Sequence, residues 1–253
     1  MRVAVVTLLP GMFSALTEHG VSGRGISAGL LELSFCNPRD FCRDKHRSVD
    51  DKPFGGGPGM LMKTEPLLAA ISAARAKLGG QEIRKPRCIY LSPQGQRINQ
   101  QKLTELATLE AITLVCGRYQ GIDARVIEAE IDEELSLGDF VLSGGEIAAM
   151  ALLDALIRIK PGALGDEGSA AQDSLTDGLL HAPEYTRPQL HEGKAVPPVL
   201  LSGDHAAIAR WRKKQALGVT WLKRPDLLEQ LELSREQKEL LEEFKKEYWT
   251  DRV

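Results

Sequence analysis

Apolar residues along the chain gather in short runs rich in branched side chains, at residues 3–9, 31–36, 88–91 and 112–116. Segments of helical period lie between them. This alternation predicts an α/β fold built on a mostly parallel sheet. Capping residues announce the helices: Thr64 with Glu65 and Pro66 ahead of residues 67–78, Asn99 ahead of 103–106, and Asp123 ahead of 126–129. A longer apolar helix from Glu146 to about Ile159 is stopped by Pro161 and Gly162.

After that helix the pattern changes. GALGDEGSAA, residues 162–171, has no hydrophobic period and reads as a linker or mobile loop. We place a domain boundary there, with residues 1–161 as the α/β domain, 162–173 as a flexible linker and 174–253 as a second domain. In the latter, Asp204 caps a helix running to about Leu217, and Pro225 and Asp226 open another. Ser234 and Gln237 form a capping box for a last helix to about Tyr248. The C-terminal domain is therefore expected to be small and all-helical.

Composition adds limits. The chain has 253 residues, 43% of them hydrophobic, enough for a well-buried core at the border between one domain and two. Four cysteines and five histidines form no zinc-like cluster, so a reducing cytoplasmic setting is expected. The opening apolar run is too short to span a bilayer and lacks a cleavage site, so it reads as a buried strand, and no membrane partner is expected. The formal net charge of −3 hides an asymmetry. Residues 174–225 carry eight Lys and Arg against four Asp and Glu, whereas residues 226–253 carry five against nine. A basic stretch followed by an acidic helix can offer a face to a polyanion, or be two ordinary solvated helices.

Three loops follow the middle strands: LSPQG at 91–95, GRYQG at 117–121 and LGDFVLSGG at 137–145. Ligands of open parallel sheets bind beyond the carboxyl ends of the strands. Glycines there let backbone N–H and C=O groups approach a flat ring, although each loop taken alone reads rather as a tight turn. The first strand is not followed by Gly-x-Gly-x-x-Gly, which argues against a dinucleotide site. GPGMLMKT, residues 57–64, resembles a phosphate-binding loop but has Met62 where the second glycine belongs, so a nucleotide triphosphatase is rejected.

Other candidates are charged. Arg43, Lys45, His46 and Arg47, in the loop of residues 39–52, can meet phosphates, or form a solvated surface with the loop's own aspartates. His46 has no partner at metal-ligand spacing. Arg210, Lys213 and Lys214 share one helical face suited to a phosphate backbone. Trp211 and Trp221 are expected as core anchors. Asp173 and Asp177 follow the linker, either as a helix cap over residues 174–180 or as carboxylates able to take a proton.

Seven motifs in order, FGGGPGMLM (54–62), YLSPQG (90–95), CGRYQGID (116–123), LGDFVLSGGE (137–146), DSLTDGLL (173–180), YTRP (185–188) and PPVLLSGDHAAIARWR (197–212), resemble bacterial tRNA (guanine-N1)-methyltransferases of the TrmD type, in the SPOUT superfamily. The resemblance implies a knotted methyltransferase domain, a helical tRNA-binding domain and a homodimer with shared active sites. General rules of chain topology would not have suggested the knot. The implied reaction moves methyl from S-adenosylmethionine to N1 of guanosine 37 of tRNA, where another guanosine precedes it. The donor would be held by Tyr90, Leu91, Ser92, Pro93, Gly117, Tyr119, Gln120, Leu137, Gly138, Asp139, Phe140, Val141, Leu142, Gly144 and Gly145. Asp173 would take the N1 proton, and Arg158 would steady the charge that spreads to O6. His46, Asp50, Gly59, Asp177, Arg210, Lys213 and Lys214 would meet the tRNA. Magnesium is implied as a further cofactor. Four positions depart from the family pattern: Gln120 stands for Glu, Phe140 for Tyr, Ala148 for Pro and Glu184 for His.

Overall fold

The computed structural model describes residues 1–79, 86–165 and 173–250. The chain divides into two compact units, Met1–Glu167 and Gly168–Val253. Most of the expected linker, residues 166–172, lies outside the described residues.

In chain order the first unit runs β1 (Arg2–Val6), α1 (Ser14–Thr17), α2 (Gly20–Ser27), β2 (Glu32–Cys36), β3 (Asp50–Asp51), β4 (Leu61–Met62), α3 (Thr64–Lys77), β5 (Arg87–Arg97), α4 (Gln100–Ala107), β6 (Ala111–Cys116), α5 (Ala124–Glu130), β7 (Glu133–Ser136) and α6 (Glu146–Arg158). Strands β2, β1, β6, β5 and β7 pair in that order and are all parallel. Successive side chains leave a strand on opposite faces, and both faces are covered. Val3, Val5, Ile112 and Leu114 pack under α6, with Leu152, Leu153 and Leu156. Ala4, Val6, Cys88 and Val115 pack under α3, with Leu67, Ala70 and Ile71. Buried on both sides, these strands read as continuous apolar runs.

The caps at Asn99 and Asp123 form as expected, their side chains accepting from the backbone N–H of Lys102 and Arg125. Thr64 instead becomes the first residue of α3, with Lys63 at the cap and no side-chain cap bond. Five elements of this unit, α1, α2, β3, β4 and β7, escaped the hydrophobic pattern, and two of them show why. Strand β7 is half charged, because Glu133 meets Lys102 at 2.8 Å and Arg87 at 3.5 Å at the sheet edge. Helix α2, GVSGRGIS, carries glycines where neighbours press close: a side-chain carbon at Gly25 would sit 2.6 Å from Ile157.

The second unit contains a hairpin, β8 (Leu190–His191) with β9 (Lys194–Ala195), then α7 (His205–Lys223), α8 (Pro225–Glu229) and α9 (Arg235–Thr250). The hairpin corrects the all-helical expectation. Its loop, Glu192-Gly193, has φ of 48° and 77°, the positive values that a tight hairpin turn of the I′ kind requires at both positions. Asp204 caps α7 through the N–H groups of Ala206 and Ala207, and the Ser234–Gln237 box forms with bonds in both directions. Helix α7 does not end near Leu217. It continues through Gly218, whose missing side chain makes room for the ring of Phe244 on α9. Trp221 is an anchor, edge-on to Tyr248 at 5.8 Å and beside the small core of Leu179, Leu217, Leu240 and Leu241. Among the described residues, no helix is long and apolar enough to cross a membrane.

Gly218→Ala should therefore destabilise the second unit by about 1–3 kcal/mol despite alanine's better helix propensity, because overpacking against Phe244 dominates. Chemical denaturation followed by tryptophan fluorescence checks this, since all three tryptophans lie in that unit.

Candidate active site

The carboxyl ends of β6, β5 and β7 are neighbours in the sheet, so the three loops that follow them converge. They enclose a cavity of about 320 Å³, within the range of small-molecule sites. Each loop is built by close backbone approach. In β5, pairing with β7 breaks between Leu91 and Gln96, which extrudes Ser92-Pro93-Gln94-Gly95 as a bulge. Gly95 lies so near the backbone of Glu134 and Leu135 that no side-chain carbon fits there. A side-chain carbon at Gly117 would sit 2.7 Å from the Tyr90 hydroxyl, and one at Gly145 2.9 Å from Cys116 Cα. The N–H of Gly145 donates to Gly117 O at 3.0 Å, tying the second loop to the third.

The third loop folds on itself. The Ser136 hydroxyl donates to Gly138 O and accepts from Gly138 N, and the Phe140 ring lies over Gly138. That ring contact needs no hydroxyl, which accommodates Phe140 in a position where the family pattern has Tyr. Helix α6 starts directly after the loop, with Glu146 buried at its first turn. Its carboxylate accepts from Thr7 Oγ1 at 2.9 Å and pairs with Arg118 at 3.2 Å. An anion at a helix N-terminus is favoured by the helix dipole, and here it joins β1, the β6 loop and α6. Ala148, where the family pattern has Pro, is buried at the cavity wall.

Electrostatics at the cavity floor centre on Tyr90. Burial and the charge of Glu134 push its hydroxyl up to about 12, against hydrogen bonds from the Ile122 backbone and Ser92. Burial likewise drives the Cys116 thiol well above its usual range. Both groups are neutral at physiological pH.

Of the residues expected to hold a donor, all but Asp139 line the cavity: Tyr90, Leu91, Ser92, Pro93, Gly117, Tyr119, Gln120, Leu137, Gly138, Phe140, Val141, Leu142, Gly144 and Gly145. The side chain of Asp139 points to Arg97 at 3.3 Å and is 79% exposed. Gln94, Arg118, Gly121, Ser143 and Ala148 also line the cavity and were not predicted. Adjacency in the motifs was the available signal for the first four.

The glycine-rich segment at 54–59 joins the wall through Gly59, at φ 87°, against which the Gln120 side chain packs. The Gln120 N–H donates to Met60 O at 2.9 Å, and Asp50 pairs with Met62 across the β3–β4 ladder. His46 is exposed in its loop, while Arg47 is bound to Asp40 at 2.6 Å. Among the described residues no three His, Cys, Asp or Glu side chains are grouped to hold a metal, and Gln120 is uncharged. The donor set does not fit a magnesium ion held by protein side chains alone.

Arg158 ends α6, whose first turn borders the cavity; a rise of ~1.5 Å per residue puts it about 18 Å along the axis from Glu146. It is not part of the cavity in its own chain. Asp173 and Asp177 lie in a compact turn of the second unit, not in a helix. There Asp173 O accepts from Thr176 N at 3.3 Å, the Asp177 carboxylate accepts from Leu179 N at 3.1 Å, and Gly178 packs on Leu231. Arg210, Lys213 and Lys214 each face a glutamate of α9: Glu243 at 2.6 Å, Glu236 at 2.7 Å and Glu247 at 2.6 Å. The expected phosphate-binding face is thus engaged by the acidic helix. Glu184 is 73% exposed, 3.9 Å from His181.

Comparison with known proteins agrees over the whole length. The model of the family described as tRNA (Guanine-1)-methyltransferase TrmD matches residues 1–230. A protein of Photorhabdus laumondii named tRNA (guanine-N(1)-)-methyltransferase is 56% identical over 252 residues, 99% of each chain. Proteins of the same name from Salmonella typhi and Cronobacter sakazakii are each 57% identical over 249 residues, 98% of this chain and 96% and 95% of theirs.

Neutral Tyr90 carries a pH signature. Its folded value lies above the ordinary 10, so its contribution to stability is complete below pH 10 and is lost as pH rises toward 12. The stability of wild type relative to Tyr90→Phe should be flat from pH 7 to 9.5, then fall by about 1.4 kcal/mol per pH unit. Urea denaturation across that range checks it.

Proposed function

Because the chain belongs to the tRNA (guanine-1)-methyltransferase family, we propose that it transfers a methyl group from S-adenosylmethionine to N1 of guanosine 37 in tRNA, where a guanosine precedes it. The observation that carries this reading is the glycine-lined cavity at the ends of β6, β5 and β7. Its backbone groups suit the edges of an adenine ring, and its volume suits a nucleoside-sized donor.

When bound there, S-adenosylmethionine would supply a methyl group on a positively charged sulfur, which would keep the S–C bonding pair and leave as a neutral thioether. N1 of guanine holds a proton at neutral pH and is a poor nucleophile until it loses it. We assign that proton to the carboxylate of Asp173, after which the N1 lone pair takes the methyl group. Arg158 donates toward O6, where the negative charge of the deprotonated base collects. Glu146 keeps Arg118 and the first turn of α6 in register beneath the loops. No step is assigned to magnesium.

The position of Arg158 at the far end of α6 from the cavity favours a homodimer in which a second copy completes each site. The knotted arrangement of the family and a tRNA-binding role for residues 174–253 belong to the same reading, as does a cytoplasmic location. His46, Asp50 and Gly59 are proposed to meet the anticodon loop, with Asp177 beside the base; Gly59 packs against Gln120 and Asp50 lies on β3, paired with β4.

Purified protein with S-adenosylmethionine should methylate a tRNA transcript carrying guanosines at 36 and 37, read as a primer-extension stop at 37. Asp173→Asn should lower the rate about 10²–10⁴-fold while retaining donor affinity. No stop from protein that binds the donor, or an unchanged rate in Asp173→Asn, contradicts the proposal.

A further inference from the structure

The second unit holds a cavity of about 530 Å³, larger than the one between the loops. Its walls come from the segment around Tyr185, the start of the β8–β9 hairpin, the turn at 198–201 and the first half of α7. The YTRP motif lies in it, and nothing in the proposed methyl transfer uses that motif. Its chemistry is mixed: Tyr185, Arg187, Gln189 and Arg212 line it with Glu184 and Ile208.

Two observations separate this cavity from the basic face that spacing alone singles out. At 3.6 residues per turn, Ile208 and Arg212 lie on roughly the opposite side of α7 from Arg210, Lys213 and Lys214. Those three cations are each matched to a glutamate of α9. Among the described residues, Arg187 and Arg212 pair with no carboxylate. Cations already neutralised within the fold offer a phosphate little new attraction, whereas unpaired guanidinium groups offer their full charge. Tyr185 is half exposed and its ring meets that of Trp211 at 6.4 Å, tilted by 53°, so it is held by a neighbour while about half of its surface stays open. Aromatic platforms of this kind take unstacked bases, and neighbouring carboxylate and amide groups read their edges.

From this geometry we infer that the cavity is a second RNA site, which receives an unstacked nucleotide of the tRNA away from the target guanosine. The base lies on Tyr185 within reach of Glu184 and Gln189, and the flanking phosphates meet Arg187 and Arg212. The basic face of α7 instead fastens α9. The inference rests on tRNA being the substrate, which methylation by the wild-type protein tests on its own.

The test measures tRNA affinity by filter binding for wild type, Tyr185→Ala, the double variant Arg187→Ala/Arg212→Ala, and Lys238→Ala as a cation outside the cavity. Thermal melts confirm folding. Affinity should fall at least tenfold in the first two variants and stay unchanged in the third. The slope of log affinity against log salt should become shallower by about 1–2 for the arginine pair and remain unchanged for Tyr185→Ala. Losses of threefold or less in both cavity variants overturn the inference, even if methylation by wild type is normal. Should a variant fail to fold, wild type alone decides. A single-stranded RNA tetramer should quench tryptophan fluorescence, because all three tryptophans lie in this unit and Trp211 backs the platform. Absence of quenching at millimolar tetramer overturns it.

Discussion

Backbone pressed against its neighbours, with no room for a side-chain carbon, is the constraint on which the first unit depends. Gly117 over Tyr90, Gly145 against Cys116 and Gly95 against the backbone of β7 bring three loops together at the ends of three adjacent strands. Without those approaches the loops would splay and the cavity would open to solvent. The sheet beneath supplies rigidity, since both faces are packed and its central strands are almost wholly buried. The helix above supplies polarity, with the buried Glu146 fastening α6 to Thr7 and Arg118.

Such a site suits the chemistry proposed for it. The cavity walls offer peptide groups and mostly neutral side chains, with the charge of Arg118 met by Glu146, and Tyr90 and Cys116 are held uncharged by burial. A positively charged sulfur can then be placed by shape and hydrogen bonding, without a carboxylate that would stabilise it against transfer. Under the proposed mechanism, proton removal falls to a carboxylate outside the cavity, that of Asp173.

Much of this was legible in the residues, and the misses have physical causes. The runs at 3–9, 31–36, 88–91 and 112–116 became β1, β2, β5 and β6 because strands buried on both faces are continuously apolar. Asn99, Asp123, Asp204 and Ser234 cap helices because short polar side chains satisfy exposed N–H groups locally. Strand β7 was hidden because Glu133 is stabilised by Lys102 and Arg87, partners far away in sequence. Gly218 interrupts the helical pattern of α7 for the sake of a residue on another helix, Phe244. The basic face of Arg210, Lys213 and Lys214 was visible, but its acidic cover 23 to 33 residues later was not. The cavity residues were found through motifs read together, since each glycine loop alone looks like a turn.

Glycine at 117 shapes the cavity by admitting the Tyr90 ring beneath it, and donor affinity is proposed to depend on that approach. Calorimetric titration with S-adenosylmethionine of wild type, Gly117→Ala and the control Gly11→Ala tests it directly. Gly11 has ordinary backbone angles and open space around it. Affinity should fall at least tenfold in Gly117→Ala, with the fold retained by circular dichroism, and stay within twofold in Gly11→Ala. Unaltered affinity in a folded Gly117→Ala protein would mean that this close approach does not shape a donor site.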